Sequence, residues 1–301
     1  MKDDIGSQPG GELLTRQGWR DRRVSIGDVS LHVVEAGSGP PVILLHGFPE
    51  FWYSWRRQVP ALANAGFGVL AADLRGFNLS DKPTGVEQYR MSALVADVAE
   101  LIRRLAGGEA HVVGHDWGGA VAWRLAALHP QLVRKLVVMN AAFPAAYARE
   151  LRRNPGQWLR SWYAFFFQLP KLPEYLIGRN NCAALEQSWR TQPHNPEAFT
   201  LADIDEYRRA FAAPGALTGP LNYYRAALRY RKDVFGWPQE VRVPTLLIWG
   251  ERDPFATPRL LDGLEQWVPQ LRIERIPEVS HWVQNDAPER VNALLIEFLR
   301  Q

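Results

Sequence analysis

"EAHVVGHDWGGAVAWRLAALHP", residues 109–130, joins a short apolar run, a glycine-rich bend and a longer run of helix-forming residues. The pattern predicts a buried strand that turns sharply into a helix. Asp116 lies at the bend, between Gly114 and Gly118. Small neighbours suit a bend whose backbone is strained and closely packed. The sequence therefore predicts a carboxylate exposed at the end of a buried strand.

Apolar strands alternate with helical segments on both sides of this unit. The strand-like stretches are "PPVILLHGFPE" (40–50), "FGVLAADLRGFNLSDKP" (67–83), "VRKLVVMNAAFP" (133–144) and "VPTLLIWGERDPF" (243–255). Such alternation predicts crossover units and a parallel sheet covered by helices. Residues 22–39 predict two strands around a turn at Gly27 and Asp28, and residues 260–267 predict a helix.

The alternation lapses between about Pro144 and Pro238, where aromatic residues and helix formers dominate. We interpret this stretch as a helical insertion of roughly 90 residues. The predicted core domain comprises residues 1–143 and 239–301, and the predicted cap comprises residues 144–238.

The composition is that of an ordinary globular protein. Of the 301 residues, 47% are hydrophobic and 22% are charged, and the net charge of +3 comes from scattered arginines, which do not indicate nucleic acid binding. The single cysteine, Cys182, excludes an internal disulfide framework and fits a reducing compartment. No run approaches the ~20 apolar residues of a membrane span, and the N-terminus is unlike a signal peptide. We expect a cytoplasmic protein with no membrane partner.

Three loops that follow predicted strands carry candidate catalytic groups: Asp116, Asp253 and His281. The carboxyl ends of parallel strands meet at one edge of a sheet, where sites form. Aspartate has a pKa of about 3.9 in short peptides, so a carboxylate needs no base to act as a nucleophile. Attack on a saturated carbon would give an alkyl ester. His281 would activate the water that cleaves this ester, and Asp253 would orient the imidazole.

Each candidate has competitors. An isolated Asp116 would be a helix N-cap, but the two partners on the expected loops favour the nucleophile. We expect His46 and His115 to support the loops, and Asp262 and Asp286 to be solvated. Asn140 also ends a strand, but an amide cannot carry the charge of a catalytic acid. The N–H groups of Phe48 and Trp117 form a plausible oxyanion hole.

The combined motifs resemble those of the α/β-hydrolase superfamily and, within it, the epoxide hydrolase group. The resemblance covers about residues 23–300 and is carried by "HGFPEFWYSW" (46–55), "DLRGFNLSDKP" (73–83), "GHDWGG" (114–119), "GERDPF" (250–255) and "SHWVQNDAPE" (280–289). It implies a mostly parallel eight-stranded sheet with helices on both faces and a helical cap inserted after the sixth strand. One departure is Asn78, where many relatives have glycine; asparagine tolerates a left-handed backbone, so the resemblance stands.

The resemblance also assigns two cap tyrosines that donate hydrogen bonds to an epoxide oxygen. "YAFFFQLP" (163–170) points to Tyr163, and "GPLNYYR" (219–225) points to Tyr224, with Tyr223 as its competitor. A phenol can donate to the alkoxide charge that ring opening develops. The aromatic insertion suggests an apolar pocket, and we expect Phe48, Trp117, Trp162 and Phe166 to line it.

These features predict an epoxide hydrolase that converts an apolar epoxide and water to a vicinal diol. The alternative is a haloalkane dehalogenase, which would use the same triad with halide as the leaving group. An ordinary esterase is disfavoured because position 116 is not serine. No metal-ligand spacing or phosphate loop is present, so we expect no cofactor. A homodimer is left open.

Overall fold

The computed structural model describes residues 7–236 and 240–301. Within them the strands form one eight-stranded sheet in the order β1-β2-β4-β3-β5-β6-β7-β8. Its strands are β1 Arg20–Ile26, β2 Val29–Ala36, β3 Pro41–Leu45, β4 Gly68–Ala72, β5 Ala110–His115, β6 Val133–Met139, β7 Thr245–Gly250 and β8 Leu271–Ile276. β2 pairs antiparallel with both β1 and β4, and all other pairs are parallel. The predicted α/β-hydrolase sheet is confirmed.

Helices occupy most connections between the parallel strands. The described helices outside the β6–β7 connection, which include one before β1 and two after β8, are α1 Gly11–Gln17, α2 Gln58–Asn64, α3 Met91–Leu105, α4 Asp116–Leu128, α12 Val283–Asp286 and α13 Pro288–Arg300. α4 contacts β5 and β6, α2 contacts β4, and α13 packs on α2. These contacts bury the central strands; every residue of β5 and of β7 is buried. Continuous apolar strands are expected where a parallel sheet is covered by helices.

The connection between β6 and β7 is helical, in the region where the sequence predicts an insertion. It contains α5 Pro144–Arg153, α6 Pro155–Arg160, α7 Trp162–Phe166, α8 Leu172–Thr191, α9 Leu201–Ala212, α10 Thr218–Arg229 and α11 Arg231–Phe235. The backbone of α8 is not helical from Arg179 to Cys182. The predicted end of the insertion at residue 238 lies outside the described residues.

Two local predictions have different outcomes. The turn between β1 and β2 is confirmed, with Gly27 at a φ of 57°. The single helix predicted over residues 260–267 is wrong. Two short 3₁₀ turns, Pro258–Leu261 and Leu264–Gln266, occupy the stretch because Gly263, at a φ of 68°, breaks the helical path between them. A left-handed residue ends a right-handed helix, and glycine adopts that conformation readily.

His32 on β2 is a buried structural histidine. Its Nδ1 lies 2.8 Å from Asp73 Oδ2, and its Nε2 lies 3.1 Å from Asp21 Oδ2. Burial alone would lower the pKa of His32, but the two carboxylates outweigh it and raise the pKa to about 9. The ring therefore carries a charge that ties β2 to β1 and to the segment after β4.

None of the helices in the described ranges is both long and apolar enough to cross a membrane.

Candidate active site

The bend between β5 and α4 presents Asp116 with a φ of 48°, a left-handed conformation that is uncommon outside glycine. Two glycines let the bend approach the loop after β3. A Cβ on Gly47 would lie 2.4 Å from the Asp116 Cβ, and one on Gly118 would lie 2.1 Å from the Leu45 carbonyl oxygen. The Asp116 side chain, 22% exposed, is therefore held against that loop.

The two oxygens of the Asp116 carboxylate have different partners. Oδ1 accepts a hydrogen bond of 2.8 Å from the backbone N–H of Phe48. Oδ2 lies 3.8 Å from His281 Nε2. One oxygen is thus fixed by the loop after β3, while the other faces the imidazole.

The imidazole of His281 is held from its far side by Asp253, since Nδ1 lies 2.7 Å from Asp253 Oδ2. The same oxygen accepts 2.8 Å from Asn140 Nδ2, while Oδ1 accepts 2.7 Å from the Phe255 N–H and 3.0 Å from the Ala256 N–H. Burial would raise the pKa of Asp253, but His281 and these donors hold it below its usual value. The acid is therefore ionised although it is buried.

Three nearby carboxylates together decide the protonation of His281, against the effect of burial. Burial is the largest single influence and favours the neutral ring. The carboxylates of Asp253, then Asp116 and Glu50, together outweigh burial and raise the pKa of His281 to about 9. At neutral pH the resting ring is an imidazolium between two aspartates.

The remaining site histidines support loops, as predicted. His46 Nε2 accepts a 3.1 Å hydrogen bond from the Leu74 N–H. His115 Nδ1 lies 2.8 Å from Glu50 Oε2, and its Nε2 lies 2.9 Å from the carbonyl oxygen of His281. Both side chains thereby fix the backbone on which catalytic candidates stand.

Aromatic rings from the β6–β7 connection lie close to Asp116 and to the rings of its neighbours. The ring centroid of Tyr224 is 5.0 Å from that of Trp117, 5.8 Å from Phe48 and 5.7 Å from Tyr163. Burial and, after it, nearby charges that include Asp116 raise the pKa values of both tyrosines well above their usual value. Both phenols are protonated donors across the neutral pH range.

Tyr223, the competitor of Tyr224, has its hydroxyl engaged elsewhere. It donates a buried hydrogen bond of 2.8 Å to the carbonyl oxygen of Arg75. Its ring also packs against Trp117, at 5.5 Å, but its polar atom is occupied by the backbone. The geometry therefore favours Tyr224 as the donor.

Comparison with known proteins agrees with this geometry. The sequence model of the alpha/beta hydrolase fold family matches residues 40–288. AB hydrolase superfamily protein YfhM of Bacillus subtilis is 40% identical over 279 residues, which cover 92% of this chain and 96% of that protein. Epoxide hydrolase 3 of Xenopus tropicalis is 39% identical over 290 residues, which cover 93% of this chain and 77% of that protein.

A solved structure gives the same result. The crystal structure of Bacillus megaterium epoxide hydrolase in complex with an inhibitor matches with a TM-score of 0.86 and 32% identity, covering 93% of this chain and all of that chain. The chain belongs to the epoxide hydrolase family of α/β-hydrolases. It is accordingly an enzyme of the hydrolase class.

Two residues expected to line the pocket of this epoxide hydrolase family member lie apart from the rings above Asp116. Trp162 is 63% exposed, and its ring contact is with Phe166 at 6.0 Å. Phe166 contacts Phe167 at 5.9 Å, and it is Phe167 that lies 5.0 Å from Tyr224. Successive helical residues point about 100° apart, so Tyr163 can face inward while its neighbour Trp162 faces out. Trp162 therefore lies apart from Tyr224, and Phe167 makes the ring contact with it.

Asp286 is also not solvated as expected. It is 6% exposed and accepts hydrogen bonds from the N–H groups of Ser280 at 2.7 Å, Asn195 at 3.2 Å and His194 at 3.3 Å. Its carboxylate therefore fixes the residue before His281 to the segment that follows α8.

Sequence reasoning missed Asn140 and Phe255 as site residues. The amide of Asn140 donates to Asp253, a role that its failure as an acid does not exclude. The sequence signal for this role is the place of Asn140 at the end of β6, the strand next to β7. The Phe255 ring packs on His281 at 5.1 Å and on Tyr163 at 5.4 Å. It stands two residues after Asp253, so the loop that positions the acid also covers the imidazole.

Proposed function

We propose that the chain hydrolyses apolar epoxides to vicinal diols through a covalent ester on Asp116. One observation carries the proposal. Asp116 Oδ2 faces the imidazole of His281 while Oδ1 is bound by Phe48 N–H, and the phenols of Tyr163 and Tyr224, with ring centroids 5.7 Å apart, lie close enough to interact with Asp116. Relatives named epoxide hydrolases, which match over nine-tenths of this chain, support the choice of substrate.

In the first step, Asp116 Oδ2 attacks a ring carbon of the epoxide. The carbon–oxygen bond of the ring breaks as the ester bond forms, and the oxygen leaves as an alkoxide. Tyr163 and Tyr224 donate hydrogen bonds to this oxygen as its charge develops. A phenol passes on its proton and is reprotonated from the imidazolium of His281, directly or through water, so that the products are a hydroxyl group and a neutral imidazole.

Ester formation changes the charge that His281 meets. The ester of Asp116 is neutral, so one of the carboxylates that raise the pKa of His281 is lost. The imidazole can then act as a base on water. The same ring is therefore an acid before ester formation and a base after it.

In the second step, His281 removes a proton from water as the water oxygen attacks Cγ of Asp116. Negative charge develops on Oδ1, where Phe48 N–H already donates and Trp117 N–H is the second proposed donor. The ester bond then breaks at Cγ, and the diol oxygen takes the proton from His281. The second proton of the water passes from the new carboxyl group of Asp116 to His281, which regenerates the carboxylate and the imidazolium. One oxygen of that carboxylate now comes from water.

Helices α5 to α11 are proposed to form the cap, over residues 144–238, that closes the pocket above the triad. Phe48, Trp117, Phe167 and Phe255 would give this pocket apolar walls, which favour apolar epoxides.

The deciding experiment is turnover in water labelled with oxygen-18. Styrene oxide should yield the diol, and the label should enter the peptide that contains Asp116 after repeated cycles. His281→Gln should accumulate the alkyl ester, detected by intact mass, because the base for the second step is missing. His194→Gln, which alters a histidine whose side chain is 46% exposed, is the matched control and should turn over normally.

Two results would reject the proposal. The first is diol formation without label in Asp116. The second is halide release from haloalkanes in the absence of diol formation from epoxides, which would assign the haloalkane dehalogenase reaction instead. A halide leaves without needing a proton, whereas an alkoxide must acquire one. The presence of two phenol donors at the site therefore favours an epoxide substrate over a haloalkane.

A further inference from the structure

A chain of hydrogen bonds links the loop of Asp253 to a third tyrosine near the site. Gln157 in α6 is fully buried, and its Oε1 accepts a 3.0 Å hydrogen bond from the Thr257 N–H. An N–H group can only donate, so this contact fixes which end of the amide is oxygen. The Gln157 Nε2 therefore donates to both of its other partners, the Phe255 carbonyl oxygen at 2.9 Å and Ser161 Oγ at 3.0 Å.

The direction of the next hydrogen bond follows from proton counting. Ser161 is 2% exposed, and its hydroxyl has one proton to donate. It already accepts from Gln157, and across the described ranges its second side-chain partner is Tyr147 Oη, at 2.9 Å. A buried hydroxyl that only accepted would leave its proton unsatisfied, which is costly. Ser161 therefore donates to Tyr147, and the proton of Tyr147 remains available.

Tyr147 lies among the groups of the proposed active site. It stands in α5 and is half-buried against the hydrophobic core. Its hydroxyl is hydrogen-bonded at 2.9 Å to Ser161, which stands two residues before Tyr163, and it lies within electrostatic range of Asp116 and Tyr224. Because Ser161 donates to it, the Tyr147 hydroxyl can direct its own proton toward these groups.

An epoxide oxygen cannot satisfy this third donor. It has two lone pairs, and Tyr163 and Tyr224 use both under the proposed function. A third O–H in the pocket therefore needs a second acceptor atom, carried by the substrate beside the ring.

We propose that Tyr147 forms a subsite for a hydrogen-bond acceptor oxygen on the substituent next to the epoxide ring, as in an alkyl glycidyl ether. This inference rests on the proposed epoxide hydrolysis. The bond directions fix its chemistry: Tyr147 receives from Ser161 and donates to the substrate, so the subsite selects ether or alcohol oxygens over methylene groups.

The test compares two epoxides that differ in one atom, benzyl glycidyl ether and 5-phenyl-1,2-epoxypentane, in which a methylene group replaces the ether oxygen. One neutral hydrogen bond changes kcat/KM by about 2- to 12-fold. Tyr147→Phe should lower the ether-to-methylene ratio of kcat/KM by this factor and leave the value for the methylene substrate within about twofold. Tyr175→Phe, at a 68% exposed tyrosine, is the control and should keep the wild-type ratio.

The ether-to-methylene ratio of kcat/KM is insensitive to general damage, because a partly misfolded variant loses activity toward both substrates equally. An equal loss on both substrates, or an unchanged ratio, overturns the subsite. If Tyr147→Phe does not fold, the wild-type enzyme still decides: its preference for the ether, corrected for the rates of both epoxides with hydroxide in solution, must reach at least about twofold. Failure of the wild type to hydrolyse either epoxide would instead reject the proposed function.

Discussion

Asp116→Asn should lower the pKa of His281, because the substitution removes a charge while keeping the shape of the side chain. The imidazole Nε2 is 3.8 Å from Asp116 Oδ2. At that distance a unit charge contributes about 4 kcal/mol at an effective dielectric of about 20 and about 1 kcal/mol in bulk water. The imidazole is buried and the carboxylate is partly exposed, so we expect a fall of about one to three pH units from the wild-type value of about 9.

The measurement is an NMR titration of the imidazole, assigned by the signal that disappears in His281→Gln. Asp262→Asn, at an exposed carboxylate, is the matched control and should leave the His281 titration unchanged. Intact mass must confirm that the amide introduced at position 116 has not been hydrolysed during the experiment. A midpoint that stays at the wild-type value or rises would refute the coupling, and with it the account of how His281 becomes a base.

Three further perturbations follow from the same contacts. Tyr224→Phe should slow single-turnover ester formation by about 100-fold or more, as expected on loss of a proton donor. Tyr223→Phe should change the same rate by less than about threefold, because that hydroxyl is held by the backbone. Equal effects of the two substitutions would contradict the assignment of Tyr224. Asn140→Ala removes a hydrogen-bond donor to the buried carboxylate of Asp253. In steady-state assays it should lower kcat about 10- to 100-fold with little change in KM. An unchanged kcat would show that the contact is dispensable. His32 has a raised pKa, so its contribution to the free energy of unfolding, about 3 kcal/mol, is complete below pH 6.5 and is lost as the pH rises through about 9. In urea unfolding, the loss of stability between pH 6 and pH 10 should be about 3 kcal/mol larger in the wild type than in His32→Gln, because the similar contribution of His281 is common to both.

The parts of the site that depend on local sequence and topology were predictable. Asp116 stands in a bend whose glycines are visible in the sequence, and Asp253 and His281 follow strands whose order places their loops at one sheet edge. Each of these residues is located by its own segment together with a general rule about parallel sheets. For this reason their proximity could be predicted without coordinates.

The parts that depend on side-chain direction were not predictable. Whether Trp162 or Tyr163 faces the triad depends on where a short helix begins, and α7 starts at Trp162 after a break at Ser161. Asp286 looked solvated because its partners, three backbone N–H groups, come from distant or irregular segments. The donor role of Asn140 required knowing which amide atom reaches the acid.

The proposed reaction requires opposite properties of Asp116 and Asp253, and their surroundings provide them. In the proposed cycle Asp253 stays charged, because its charge orients His281 in both steps. Four donors keep this carboxylate ionised against the effect of burial and hold it in place. In the same cycle Asp116 loses its charge midway. Among the described residues its carboxylate has one backbone donor, and its other oxygen is left open toward the imidazole. If a second strong donor bound Asp116 Oδ2, the carboxylate would be a weaker nucleophile and its charge would be shared with that donor. The sparse contacts of Asp116 are therefore as necessary to the proposed reaction as the dense contacts of Asp253.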